Sequence, residues 1–198
     1  MRAAHDRTFF SIEESGSSYL LRLRSIDATN RLTDYCIPQL TGSISDLAKS
    51  PRPLVIAGNQ KFFSVGADLE EIALLDATTA YEFSRRGQLL MQAVENFPSP
   101  VCAAISGYCM GGGFDLALAC HRRIAAPNAV FGHRGAALGL ITGWGGTQRL
   151  PRLIGKSLAL EIFVTAEKID APRALALGLV HAIADDPVAE ALRTLQSR

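Results

Sequence analysis

The chain lacks a charge bias: 20 Lys and Arg stand against 19 Asp and Glu over 198 residues, a formal net charge of +1. Such a balance gives no overall attraction to nucleic acid or to an anionic membrane surface. Short basic pairs such as Arg85-Arg86 and Arg122-Arg123 read as solvated surface. No stretch reaches the roughly 18 consecutive apolar residues that a membrane-spanning helix needs. The beginning, Met1 to Arg7, soon turns polar and carries no signal-peptide core. Cysteine is sparse, and Cys36, Cys102, Cys109 and Cys120 form neither a CxxC pair nor a zinc-ligand spacing. No metal site is expected, and three of the four lie in apolar surroundings, as buried thiols in a reducing compartment do. A cytoplasmic location is expected. Linkers, low-complexity stretches and internal repeats are also missing, which predicts one domain with a substantial core.

What is present is an alternation of strand-like and helix-like segments, which predicts an α/β fold. Thr8–Glu13 and Tyr19–Arg24 read as paired strands turning through Ser15-Gly16-Ser17-Ser18. Ile37, Leu40, Ile44 and Leu47 set a helical period over Ile37–Lys49, which Pro51 and Pro53 end. Strands are expected at Leu54–Ala57, Val101–Ile105, Arg123–Ala126, Ala129–Phe131 and Gly178–Ile183. Helices are expected at Thr78–Glu95, Phe114–Cys120, Thr147–Ile154, Leu158–Thr165 and Pro187–Gln196.

Two glycine-rich segments carry the chemistry. Phe63-Ser64-Val65-Gly66-Ala67-Asp68-Leu69 and Gly107-Tyr108-Cys109-Met110-Gly111-Gly112-Gly113-Phe114-Asp115 each follow a strand-like run and lead into a helix. A helix start offers N–H groups without internal partners and a partial positive charge. Two such starts facing each other can hold one developing oxyanion, and glycine lets the backbone approach it closely. Asp115 lies three residues after Gly112, close to one helical turn, so its carboxylate can share the face to which the Gly112 N–H points. Asp115 either favours the helix start electrostatically or moves a proton beside a carbonyl. The second is preferred, because an unpaired charge among Phe114, Leu116, Ala117, Leu118 and Ala119 is costly unless it is used. In Asp68-Leu69-Glu70-Glu71 the acids read as an ordinary first helical turn, and the Ala67 N–H is the functional part.

Other motifs fail. Gly155-Lys156-Ser157 lacks the glycine a phosphate-binding loop needs at Leu150, and Gly143-Trp144-Gly145-Gly146 has Gln148 where a dinucleotide fingerprint needs glycine. Ser106 has Ala104 where a nucleophile elbow needs glycine. His121 and His181 read as structural or surface groups.

Together these segments resemble the crotonase, or enoyl-CoA hydratase/isomerase, superfamily. Further matches are Phe131-Gly132, Gly143 to Gly155 and Ala171 to Val180, and the similarity runs from about residue 8 to 185 in the family's order. The resemblance implies a spiral of ββα turns with two roughly perpendicular sheets over 1–185, a short terminal helix over 186–198, and assembly as homotrimers or dimers of trimers. It implies an acyl-CoA substrate whose thioester oxygen is held by the N–H groups of Ala67 and Gly112, with no cofactor beyond the substrate's own coenzyme A. The adenine end would meet the backbone near Asn30-Arg31-Leu32, with the pantetheine along Val65, Asp68, Leu69 and Glu70; Gly111 and Gly135 would also border the substrate.

Departures from the family pattern bear on the reaction. Hydratases of the family use two glutamates. The first falls on Asp115, a methylene shorter, and the second on Gly135 in Phe131-Gly132-His133-Arg134-Gly135-Ala136, where the acid is missing. His133 or Arg134 is the candidate substitute, His133 on pKa grounds; alternation along a strand predicts that only one reaches the pocket. Dienoyl-CoA isomerases share an Asp at position 115 but keep further acids that this chain lacks, and naphthoyl-CoA synthases share a Gly at 135 but their further Asp falls on Thr142. The sequence also ends soon after the Gly178-Leu179-Val180 segment, which predicts a more open acyl pocket or one covered by another subunit. Three readings remain: a hydratase or isomerase; a thioester hydrolase, decarboxylase or ring-forming or ring-opening enzyme using room left at Gly135; and a non-catalytic acyl-CoA-binding subunit.

Overall fold

The computed structural model describes residues 9–196. Thr8, expected to open the first strand, lies outside the described residues, as do 1–7 and 197–198.

The chain begins with a hairpin, β1 (Phe10–Ser15) and β2 (Ser18–Leu23), paired antiparallel with Ser15 opposite Ser18. There follow β3 (Arg31–Leu32), α1 (Cys36–Leu47), β4 (Leu54–Ala57), β5 (Phe62–Ser64), β6 (Gly66–Ala67), α2 (Leu69–Ala73) and α3 (Ala77–Glu95). Next come β7 (Val101–Ile105), β8 (Tyr108–Met110), α4 (Gly112–Ala119), β9 (Arg122–Ala125), β10 (Val130–Gly132) and a 3-10 turn at Arg134–Leu138. The remainder is α5 (Gly146–Ile154), α6 (Lys156–Thr165), β11 (Ile169–Asp170), α7 (Ala171–Ala176), β12 (Ala182–Ile183) and α8 (Pro187–Gln196).

Two sheets organise these elements. One has six strands in the order β1-β2-β4-β7-β9-β12, parallel from β2 onward; the other has four in the order β11-β10-β8-β5. β3 and β6 form a separate parallel pair. The chain gives β4, β7 and β9 to the first sheet, then β5, β8 and β10 to the second, and each pair of strands is followed by helix. This is the expected ββα spiral.

Strands inside the six-stranded sheet are buried on both faces, so they read as apolar runs without alternation. Leu54 and Ile56 of β4 join the larger core with Leu40, Ile44, Leu90 and Met91 from the helices. Val55 and Ala57 face the other way, toward Cys102, Ala104 and Ile124. α8 covers that second face with Ala191 and Leu195, four residues apart on one helical stripe. α3 begins with a capping box in which Asp76 and Thr79 satisfy each other's backbone N–H groups.

Polar side chains bind the spiral together, Arg123 buried and His121 and His181 exposed. Arg123 donates from Nε to the Leu179 carbonyl and from Nη1 to the Ala117 and Cys120 carbonyls, closing the end of α4. His121 accepts the Val101 N–H at Nδ1, so Nε2 carries the proton and donates to the Glu95 carbonyl. His181 accepts the Arg123 N–H. All four cysteines are free and buried, and burial pushes the thiols of Cys36 and Cys102 up to about 12.

Three local expectations change. The strand expected over Gly178–Ile183 forms only at Ala182–Ile183, because Leu179 and Val180 turn back to donate to the Ala174 carbonyl at the end of α7. The glycine-rich segments do not pass straight from strand to helix: each first adds a short strand, β5 or β8, to the second sheet. The chain after Gly132 leaves the sheet for the 3-10 turn, so strand alternation does not govern His133 and Arg134.

Candidate active site

The two glycine-rich segments meet. Gly66 has φ +86°, and a Cβ there would lie 2.5 Å from the Gly112 nitrogen and 2.7 Å from the Met110 carbonyl oxygen. Only a residue without Cβ suits both the left-handed backbone and the close approach. Ala67 and Gly112 therefore share the wall of one cavity, of about 330 Å³. Gly112 is the first residue of α4, so its N–H has no acceptor within the helix. A Cβ on Gly112 would run into the Trp144 ring, and so would one on Gly87 of α3. The indole is thus clamped between two helices and packed 5.3 Å from Phe83, centroid to centroid.

Asp115 sits one turn into α4, 1 % exposed, on the same wall. The Thr142 hydroxyl donates a hydrogen bond to its Oδ2, and the Gly146 backbone lies against the same carboxyl. Gly146 has to be glycine here, since a Cβ would strike Asp115 Oδ1. Burial raises the Asp115 carboxyl to about 7, opposed by the Thr142 bond, the nearby Arg149 charge and the Gly146 N–H.

His133, 4 % exposed, faces Asp115 with Nε2 3.3 Å from Oδ1. Its ring is wedged between Phe114 and Phe163, at 4.9 and 5.3 Å between centroids, and burial pushes its pKa down to about 4. Asp115 Oδ1 and His133 Nε2 lack the alignment of a hydrogen bond with each other, and neither has another partner. An unsatisfied buried polar atom is costly, so both atoms are available to a polar group that enters the cavity.

The structure thus brings Val65, Ala67, Leu69, Gly111, Gly112, Asp115, His133 and Gly135 to one cavity. It does not bring Arg31, Asp68 or Glu70 there. Asp68 caps α2 by accepting the Glu70 N–H and also takes the Arg31 guanidinium at 3.1 Å; Arg31 reaches Asp27 as well, at 3.2 Å. Glu70 is exposed. Two expectations are corrected. His133 and Arg134 both line the cavity, because the chain is no longer a strand at that point. Gly135 leaves less room than expected, since a Cβ there would lie 3.0 Å from the Leu140 carbonyl oxygen.

Sequence reasoning missed Trp144, Gly146 and Phe163. Gly143-Trp144-Gly145-Gly146 failed as a nucleotide fingerprint, and nothing local shows that it wraps Asp115. Among the described residues no group of His, Cys, Asp and Glu could hold a metal ion, and no helix is long and apolar enough to cross a membrane.

A ββα spiral with paired sheets and two glycine turns beside a buried carboxyl defines a crotonase-type fold. The family model for enoyl-CoA hydratase/isomerase matches residues 13–197, and the chain belongs to that family. It is 46% identical over 136 residues to a probable enoyl-CoA hydratase of Bacillus subtilis, an alignment covering 68% of this chain and 53% of that protein. It is 37% identical over 165 residues to a crotonyl-CoA hydratase of Syntrophomonas wolfei, covering 83% of this chain and 64% of that one. The crystal structure of an enoyl-CoA hydratase from Bacillus anthracis superposes with a TM-score of 0.91 at 32% identity, over 96% of this chain and 76% of that one. The chain therefore spans between half and two-thirds of the length of the two curated relatives.

Proposed function

We propose that the protein is an acyl-CoA enzyme of the hydratase/isomerase type that stabilises a thioester enolate. The N–H groups of Ala67 and Gly112 form the oxyanion hole, and Asp115 is the proton carrier. The observation that carries this reading is the pair of orphaned buried atoms, Asp115 Oδ1 and His133 Nε2, on the wall shared by Ala67 and Gly112.

In hydration, a water oxygen bonds to the β-carbon, the C=C pair shifts to the bond between the α-carbon and the carbonyl carbon, and the C=O pair moves onto the thioester oxygen, where the two N–H groups hold the charge. Asp115, as carboxylate, takes the water's proton. The enolate then collapses: its electron pair takes the proton back from the Asp115 carboxyl at the α-carbon, and Asp115 returns to carboxylate. A carboxyl raised to about 7 is well matched to both halves of such a transfer near neutral pH. His133, kept neutral by its aromatic slot, presents Nε2 beside Asp115 to hydrogen-bond the attacking water, where the acid missing at Gly135 would have acted.

A second reading is double-bond isomerisation, favoured by the fact that Asp115 is the one carboxylate lining the cavity among the described residues. One base then removes a proton from one carbon and returns it to another. Turnover of short and medium enoyl-CoA thioesters, with hydration and bond migration measured separately, distinguishes the two. Unchanged rates in Asp115→Asn on every substrate would refute both.

The working protein is proposed to be a cytoplasmic homotrimer or dimer of trimers, acting on an acyl-CoA without a separate cofactor. Exposed Leu138, Ile141 and Val164 support association, since such apolar side chains are commonly covered in an assembly. Light scattering of the purified protein checks it, and a monomer at working concentration would contradict it.

A further inference from the structure

Arg134 is the one Lys or Arg on the cavity wall among the described residues. It is exposed and opens the 3-10 turn directly after His133. Several arginines are tied to acids, Arg86 to Asp34, Arg149 to Glu95 and Arg173 to Glu167. Arg134 has no such partner among the described residues. The one acid on its wall, Asp115, makes no ion pair with it. The rest of the wall is largely apolar, with Leu69, Phe83, Trp144 and Phe163 among its residues. A guanidinium beside an apolar cavity attracts an anion more strongly than one in open water, and its planar fork matches a carboxylate with two parallel N–H···O bonds.

We propose that Arg134 selects acyl-CoA thioesters whose acyl chain ends in a carboxylate, that is, monothioesters of dicarboxylic acids. This rests on the thioester-binding reading of the cavity given above. Every such substrate also carries the phosphates of coenzyme A. The acyl carboxylate is the better match, because Arg134 follows His133, whose Nε2 faces Asp115 at the reacting end of the cavity. The selection also explains why an apolar pocket keeps an unpaired cation: the substrate supplies the counter-charge.

The test compares two ligands that share coenzyme A and differ only at the chain end. Butyryl-CoA ends in a methyl group, and glutaryl-CoA carries a carboxylate on that same carbon. Calorimetric affinities are measured for both with the wild-type protein and with Arg134→Gln and Arg134→Lys. The expected result is that the wild type prefers glutaryl-CoA by about tenfold or more, as for a hydrogen-bonded charge pair. Arg134→Gln abolishes that preference, and Arg134→Lys restores part of it. A preference that survives in Arg134→Gln, equal losses for both ligands, or no preference in the wild type would overturn the proposal while leaving the thioester site standing. Failure of either thioester to bind the wild type would overturn the thioester site itself, and this proposal with it.

Discussion

The starts of α2 and α4 each place an aspartate beside a glycine-rich turn, yet the two acids live in opposite surroundings. Asp68 is the residue before α2, outside the helix, where it accepts the Glu70 N–H and meets Arg31. The Glu70 N–H, with the Arg31 bond, holds its carboxyl below the usual range, opposed by partial burial. Asp115 is inside α4, enclosed among Phe114, Leu116 and the Trp144 loop, and burial raises it to about 7. The difference teaches that a helix start does not by itself make an acid functional. What matters is whether the acid is satisfied by its own helix or left reaching into a cavity.

The largest expected effect separates the two acids outright. Asp115→Asn lowers kcat on the best enoyl-CoA substrate by about 10²–10⁴-fold, the usual share of a proton-transfer group, whereas Asp68→Asn has a far smaller effect. Steady-state kinetics on both variants checks this, and equal losses would erase the distinction.

Next comes the backbone of the α4 turn. Gly112→Ala forces a Cβ into the Trp144 ring and destabilises the fold by about 1–3 kcal/mol, read by thermal unfolding, with thioester affinity lost as well. A stable variant with full affinity would show that the Gly112–Trp144 contact is not needed.

The third effect is the pH dependence of stability. Asp115 has a folded pKa, about 7, above its ordinary 3.8, so the folded state holds the proton more tightly and stability falls as pH rises from about 4 to 7. His133 has a folded pKa, about 4, below its ordinary 6.5, so the unfolded state binds the proton and stability rises from about 4 to 6.5. In the wild type the two slopes oppose. His133→Gln therefore uncovers a decline with rising pH, and Asp115→Asn uncovers an increase, each about 1.4 kcal/mol per pH unit. Urea titrations across that range measure it, and flat profiles in both variants would mean that neither group is shifted. The smallest effect is at α2: Asp68→Ala costs about 1 kcal/mol through the lost cap, on the same urea scale.

Much of this was legible in the sequence because it depends on neighbours along the chain. Leu54–Ala57, Val101–Ile105 and Pro187–Gln196 form where apolar runs and prolines predict them, and Asp115 follows from its spacing to Gly112. The rest depends on contacts between distant segments. β6 has two residues and exists only because β3 lies beside it. The fit of Trp144 against Gly87 and Gly112 joins three elements, and no local pattern signals it. The approach of His133 to Asp115 was obscured by treating residues 133 and 134 as strand. The chain leaves the sheet at Gly132, and that turn is what brings the imidazole to the carboxyl.

The central claim is that Ala67 and Gly112 stabilise an enolate while Asp115 moves the proton. Exchange of the α-hydrogens of butyryl-CoA in heavy water, followed by NMR, tests it without presuming the overall reaction. The account predicts exchange catalysed by the wild-type protein and nearly abolished in Asp115→Asn; exchange at the same rate in both would contradict it.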